Sequence, residues 1–269
     1  MYLADYHVHS RISPDSAAPM ADMARAALAA GLDELCFTDH VQPVALGTGA
    51  RPAFYDWAAL LAEFDLARAE LGDRISLRLG IELGDAGIDV PHTEKLLSNM
   101  PPMDFIIGSV HMLPESWGCT NLYLFDPKDE EEAYKGIAAY LEEVRTLAQW
   151  GNFSVLGHLT LPLRYLNENR GFQLTFDRFE DEVREILQIL VDRGRGIELN
   201  TNRGNAPLPG EKWLRLYRSL GGEILTLGSD AHHPEMVGCR IRESLELLKA
   251  CGFTRFCTFR KMEPVWHKL

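Results

Sequence analysis

Positive charge is scarce in this chain. Its 27 Lys and Arg stand against 39 Asp and Glu, a formal net charge of −12. A general nucleic-acid binder needs a basic footprint to displace counterions. No basic stripe interleaved with aromatics offers a single strand a stacking platform either. An anionic small molecule stays admissible, because bound cations can outweigh the surface field locally. Long apolar runs are also missing: none approaches the ~20 residues of a membrane span. The cysteines, Cys36, Cys119, Cys239, Cys251 and Cys257, are odd in number, scattered and free of any Cys-x-x-Cys pair. That usage fits buried free thiols in a reducing cytosol. The opening MYLADYHVHS carries no charged-then-apolar leader. A cytoplasmic protein is expected, with neither nucleic acid nor membrane as partner and with an oligomeric state the sequence does not express.

What is present is enough apolar residue for a full core, 46% of 269 with 25% charged. Short β-type runs alternate with longer helical ones from end to end, with no long linker, repeat or low-complexity stretch. The predicted strands are Tyr2–Tyr6, Glu34–Phe37, Ile75–Ile81, Phe105–Gly108, Ser154–Leu156, Gly196–Leu199 and Ile224–Leu227, with Phe256–Phe259 as a possible eighth. Helical patterns fall at Met20–Ala30, Trp57–Leu71, Thr93–Asn99, Pro127–Trp150, Phe176–Arg193, Glu211–Leu220 and Ile241–Ala250. Asp126-Pro127 reads as an N-cap followed by Pro at the first helical position. Gly31, Gly72, Gly151, Gly194 and Gly221 follow helical runs, where a left-handed residue is wanted. Such alternation favours parallel strands joined by crossover helices, in one domain over residues 1–269.

The chemistry-bearing residues sit at the ends of these strands. His7-Val8-His9 follows the first, Thr38-Asp39-His40 the second, and Glu82 ends the third. Gly108-Ser109-Val110-His111 and Gly157-His158 follow the fourth and fifth, and Ser229-Asp230-Ala231-His232 follows the seventh. Side chains two apart on a strand point to the same side, so His7/His9 and Asp230/His232 can each grip one ion. Six of the nine histidines share this placement. His92 and His267 follow no strand end, and His233 has the opposite parity. Asp15 adds a carboxylate from a loop over the same place. Asp39 either holds His40 in orientation or caps a loop. Glu82 can bridge two cations about 3.5–4 Å apart. A multinuclear metal centre is the expected result.

Convergence also selects the fold. In an open sheet these donors would be spread across its width, whereas in a barrel the C-terminal strand ends ring one mouth. A single distorted, TIM-like β/α barrel of about seven parallel strands is expected, with the site at the C-terminal strand ends. Arg164 and Arg203 each lie a few residues past a strand end, so either could face the mouth or be an ordinary surface arginine.

Together these motifs resemble the PHP (polymerase and histidinol phosphatase) family across nearly the whole chain. The resemblance implies a distorted seven-stranded barrel with two or three divalent ions of zinc, iron or manganese. One ion would take His7, His9, Glu82 and Asp230, and a second would share Glu82 and add His111 and His158. A third would take His40, His232 and Asp15. Many members carry His at this last position, and Asp there resembles the histidinol-phosphatase branch. Leu161-Pro162-Leu163-Arg164-Tyr165 and Glu198-Leu199-Asn200-Thr201-Asn202-Arg203 resemble that branch as well, with the two arginines reaching the phosphate.

The implied activity is that of a phosphoric monoester hydrolase. It would release phosphate and L-histidinol from L-histidinol phosphate through a metal-activated hydroxide, with Asp15 or His40 protonating the leaving oxygen. Glu115 would meet the substrate's ammonium, and Trp117 would either cover its imidazole or pack on the surface. The alternatives are a phosphoesterase for nucleotides or phosphotyrosine, a metal-dependent amidohydrolase, and a scaffold without catalysis. The amidohydrolase usually wants a carboxylated lysine or a glutamate between its metals, and no lysine ends a strand here. The scaffold reading would be favoured by lost ligands, and none is lost.

Overall fold

The computed structural model describes residues 1–269. Its strands are β1 (Ala4–Val8), β2 (Glu34–Phe37), β3 (His40–Val41), β4 (Ser76–Gly84), β5 (Phe105–Ser109), β6 (Val155–Leu156), β7 (Gly196–Asn200), β8 (Leu225–Gly228), β9 (Arg255–Arg260) and β10 (Glu263–Lys268). Its helices are α1 (Met20–Ala29), α2 (Trp57–Leu71), α3 (Val90–Leu97), α4 (Glu130–Trp150), α5 (Glu180–Asp192), α6 (Glu211–Ser219) and α7 (Ile241–Ala250). The sheet runs β1-β2-β4-β5-β6-β7-β8, all parallel, with β3 a short addition beside the upper end of β4.

Strands covered on both faces leave no residue facing water, and a polar one among them, such as Asp5, His7 or Glu198, must find a partner inside. Accordingly β1, β2, β5, β7 and β8 are buried throughout. The helices show a single stripe instead. α5 buries Val183, Ile186, Leu187 and Leu190, the i, i+3, i+4, i+7 spacing of one helical face. Each such side chain contributes about 1.5–3 kcal/mol when fully removed from water. One continuous core of 70 buried residues extends from Leu3 to Phe259. No helix is long and apolar enough to cross a membrane.

The ring closes between β8 and β1, not through a full ladder but through the segments just beyond them. His9 N–H donates to Ala231 O at 2.9 Å, and Asp230 N–H to His7 O at 2.8 Å. Asp5, wholly buried, accepts from Ser229 N–H at 2.8 Å, from the Ser229 hydroxyl at 2.5 Å and from Gly238 N–H at 2.9 Å. Burial pushes its carboxyl above the usual range, while these donors pull the other way. The seam therefore lies where the metal-type residues of β1 and of the segment after β8 meet.

Several sequence-derived boundaries shift. The first strand is Ala4–Val8, not Tyr2–Tyr6, so His7 lies inside it. There a bulge intervenes: Asp5 pairs with Leu35 and Val8 with Phe37, leaving Tyr6 and His7 together opposite Cys36. β4 continues to Gly84, which places Glu82 within the strand. α4 starts at Glu130, capped by the Asp129 side chain on Glu132 N–H, and not at Asp126-Pro127. The possible eighth strand is no barrel member. β9 pairs antiparallel with β10 as a separate hairpin across the N-terminal end of the barrel. The hydroxyl of Tyr6 accepts from Phe259 N–H at 3.0 Å, His267 stacks on Tyr2, and Asp104 holds the backbone of Lys261 and Met262.

A candidate metal centre at the barrel mouth

Glu82 is the hub. Its Oε1 lies 3.0 Å from His111 Nε2 and 2.8 Å from His158 Nε2, and accepts from the Ser109 hydroxyl at 2.7 Å. Its Oε2 faces the other side, 3.3 Å from His7 Nε2, 3.4 Å from His9 Nε2 and 3.0 Å from His40 Nδ1. Asp230 Oδ1 stands 3.7 and 3.5 Å from the Nε2 atoms of His7 and His9. Asp15 Oδ2 lies 3.1 Å from His232 Nε2 and 3.4 Å from His40 Nε2. All nine donors predicted from the sequence therefore converge on one place. Four overlapping triads have donor atoms within 4.8 Å of one another: His7/His9/Asp230, His7/Glu82/His158, His40/Glu82/His111 and His9/His40/His232.

This set suits cations. Two donors on a four-coordinate ion with ~2.1 Å bonds stand about 3.4 Å apart, close to the separations around His7 and His9. The Nε2 atoms of both residues are buried and lack any hydrogen-bond partner, an expensive state for a polar atom unless something else binds it. The neighbouring carboxylates act on the same imidazoles. Burial opposes a charged His7, yet Glu198, Glu82 and Asp230 raise its pKa well above the ordinary imidazole value. Burial likewise opposes a charged His40, and Glu82 and Asp15 lift it to about 10. Glu82 is held well below the carboxylate range, against burial, by His7, His111 and His40. Ions and protons compete for the same nitrogens, so cation affinity rises with pH.

The residues that aim these donors come from unexpected places. Asp39 makes no hydrogen bond to His40 and takes the other expected role, that of a loop cap. It accepts from Ser10 and Ser13, through backbone and hydroxyl of each, and thereby folds the loop that carries Ser13 to His9 Nδ1 at 3.0 Å. Asp85 accepts from the backbone N–H of His111 and Met112 at 2.9 and 3.1 Å. Glu198, for which the sequence suggested no role, lies 2.6 Å from His7 Nδ1 and accepts from His158 N–H at 2.8 Å. Its signal was present: Glu198, Asn200 and Asn202 alternate along β7 and just beyond it, so all three can face the mouth. Gly228 leaves room for this packing, since a Cβ there would collide with the Glu198 carboxylate and His7 Cβ. Glu198→Gln is expected to lower metal affinity or turnover by about 10–100-fold through the lost orientation of His7. Competition with a metal-binding dye checks this, and an unchanged affinity together with unchanged turnover would remove Glu198 from the site.

Above the donors opens a cavity of about 1110 Å³. Arg164 lines it from a one-turn π-helical segment, Arg164–Asn169, and is itself almost fully buried. Its NH1 donates to Asp230 Oδ2 at 2.7 Å. Arg203 lines the cavity from the loop after β7, as expected, but is exposed. Exposed His233 is at the rim. Glu115 is not placed at the cavity as expected, and Trp117 takes its packing alternative. Glu115 pairs with Arg51 at 2.6 Å, Trp117 sits edge-on against Phe125, and neither lines the cavity. Asn121, Tyr123 and Asp126 from the same loop do so instead. His92 caps an interaction with Pro52 O, away from the site.

The PHP domain model matches residues 5–202. A histidinol-phosphatase of Lactococcus lactis is 29% identical, covering 96% of this chain and 95% of the relative. A "probable histidinol-phosphatase" of Deinococcus radiodurans is 30% identical, covering 97% and 99%. The solved structure of the Lactococcus lactis histidinol phosphate phosphatase, complexed with zinc, L-histidinol and phosphate, superimposes with a TM-score of 0.78 at 27% identity over 98% of each chain. With a seven-stranded barrel, its donors at the C-terminal strand ends, and a family match over most of its length, this chain belongs to the PHP domain family.

Proposed function

We propose that this chain is a metal-dependent phosphomonoesterase that hydrolyses L-histidinol phosphate to L-histidinol and phosphate. The observation that carries the reading is the joint placement, in one cavity, of the Glu82-centred donors and the buried Arg164 guanidinium. The full-length similarity to a phosphatase holding zinc, L-histidinol and phosphate supports the substrate. His7, His9, Glu82 and Asp230 would hold one ion, Glu82, His111 and His158 a second, and His40, His232 and Asp15 a third. Zinc, iron and manganese all suit such mixed imidazole and carboxylate donors. When bound, these ions supply Lewis-acid activation of water and of the phosphoryl group.

The chain's own groups do the rest. Arg164 offers a planar, permanently charged fork to the phosphoryl oxygens, and Arg203 adds a second guanidinium from the open side. Asp230 fixes Arg164 in the rotation that faces the cavity. Asp15 stands at the mouth with about half of its side chain exposed (53%), between His40 and His232. Where no third ion engages Asp15 and His40, the carboxylate can pass a proton from His40 Nε2 to the leaving oxygen; ligands of that ion cannot, so the two roles exclude one another.

Purified protein supplied with Zn²⁺ or Mn²⁺ should release phosphate from L-histidinol phosphate; no release from any phosphomonoester would leave only a scaffold or an amidohydrolase. Asp15→Asn tests the proton path separately. Its kcat should fall about 10²-fold or more on the alkoxide ester and far less on a nitrophenyl ester, whose leaving group needs no proton. Equal losses on the two esters would exclude Asp15 from that path.

A further inference from the structure

Between the two cavity-lining arginines lies a residue that no part of the mechanism above uses. Asn202 is completely buried. Its Oδ1 accepts from Arg164 Nε at 2.6 Å, while its Nδ2 donates to Glu168 Oε1 at 2.7 Å and to Ala206 O at 2.9 Å. Its backbone N–H donates to Asn200 Oδ1 at 2.8 Å, and that same oxygen accepts from Arg164 NH2 at 3.3 Å. Both N–H groups of the amide are used and its oxygen faces the guanidinium, so a flipped amide would set N–H against N–H at Arg164. Arg164 and Glu168 belong to the π-helical turn Arg164–Asn169. One side chain thus ties both ends of that turn to the loop after β7.

The backbone adds a second observation. Asn202 and Arg203 are consecutive left-handed residues, with φ of 51° and 53°. Asn tolerates that region by local hydrogen bonding, but Arg does not favour it. Such a conformation persists where its surroundings over-determine it, and it recurs at functional sites. Here the paired left-handed residues reverse the chain beyond β7 and set Arg203 on the cavity wall.

We infer that Asn202 is the positioning residue for both phosphate-facing arginines, fixing Arg164 through its side-chain amide and Arg203 through its left-handed backbone. The inference rests on the phosphomonoesterase reading for what the arginines bind. A merely structural role would leave anion affinity untouched. The geometry says otherwise, because the short amide contact is made to the guanidinium itself and not to a neighbouring backbone.

The probe is inorganic phosphate, titrated calorimetrically into metal-loaded full-length protein. Asn202→Gly keeps the left-handed backbone open to the chain while deleting the junction. It should weaken phosphate binding about 10-fold or more with the metal content unchanged. Arg164→Met should weaken it too, and the double variant should bind no worse than the weaker single, since coupled groups do not add. Phosphate affinity within twofold of the parent, or losses that multiply in the double variant, would overturn the inference.

Glu168→Ala covers the case in which Asn202→Gly does not fold, because Glu168 is exposed and its removal empties no core. Release of the amide's donor end should cost about threefold or more in phosphate affinity, and an unchanged value would overturn the inference as well. Inorganic phosphate has no leaving group. A chain that follows this pattern yet never hydrolyses L-histidinol phosphate would therefore discard the substrate reading and keep the assignment of Asn202.

Discussion

Glu82→Gln is expected to strip the barrel mouth of at least one ion and to reduce phosphate release by about 10³-fold or more, the scale of losing a Lewis-acid or electrostatic element from a dry site. The reason lies in which atoms face which partners. Oε1 meets His111 and His158, while Oε2 meets His7, His9 and His40. Gln has a single acceptor oxygen, so whichever way its amide lies, one cluster of imidazoles meets an N–H₂ where it now meets a carboxylate oxygen. The substitution also removes the one negative charge at the centre of five histidines, and His7 and His40 lose a partner that keeps their protons. Metal content by mass spectrometry, read beside single-turnover phosphate release, checks both halves. A Gln variant with the parent's metal stoichiometry would show that Glu82 does not join two ions.

Arg164→Met should reduce kcat/KM for a phosphomonoester by about 10²–10³-fold, the range seen when a preorganised donor to a developing anion is removed. Met keeps much of the volume of a side chain that is only 5% exposed but leaves Asp230 Oδ2 and the side-chain oxygens of Asn200 and Asn202 without their guanidinium partner. Arg164→Lys should recover only part of the loss, because an ammonium cannot reproduce a fork that bonds Asn202, Asn200 and Asp230 at once. Arg203, exposed and held by its backbone conformation, should cost less, about 10-fold on removal. Steady-state kinetics of the three variants rank these effects. An Arg164→Met enzyme within threefold of the parent would place phosphate recognition elsewhere in the cavity.

The donors were legible because a parallel barrel enforces a simple grammar. Six of the seven predicted strands lead into His, Glu or Asp, and all such ends share one mouth, so His40, Glu82, His111, His158 and Asp230 could be found one strand at a time. The supporting layer was written in the same period-two code, as Glu198, Asn200 and Asn202. However, a carboxylate and two amides carry no metal signature, and only the packed structure shows His7 and Arg164 as their partners.

The β1 bulge had no sequence signal, since nothing in Asp5-Tyr6-His7 distinguishes a regular strand from one with an inserted residue. The hairpin of β9 and β10 was hidden for another reason. Its turn residues, Lys261 and Met262, both have positive φ, a geometry usually announced by Asn-Gly or Asp-Gly, and here Asp104 holds their backbone instead. At α4 two caps competed. Asp126-Pro127 offered one, but Asp129 reaches Glu132 N–H, and Asp126 turns to Arg170 at 3.2 Å. Glu115 and Trp117 have chemistry suited to an ammonium and an imidazole, but local packing against Arg51 and Phe125 keeps them off the cavity wall.

The most direct test is kcat/KM for L-histidinol phosphate beside a nucleotide, phosphotyrosine and simple alkyl phosphates, with bound metals counted in the same sample. Two or three divalent ions per chain are expected, with a preference for L-histidinol phosphate of about 10²-fold or more, the discrimination of a site that pairs specific polar groups. Equal rates across the esters, or turnover by protein carrying no divalent metal, would contradict this expectation.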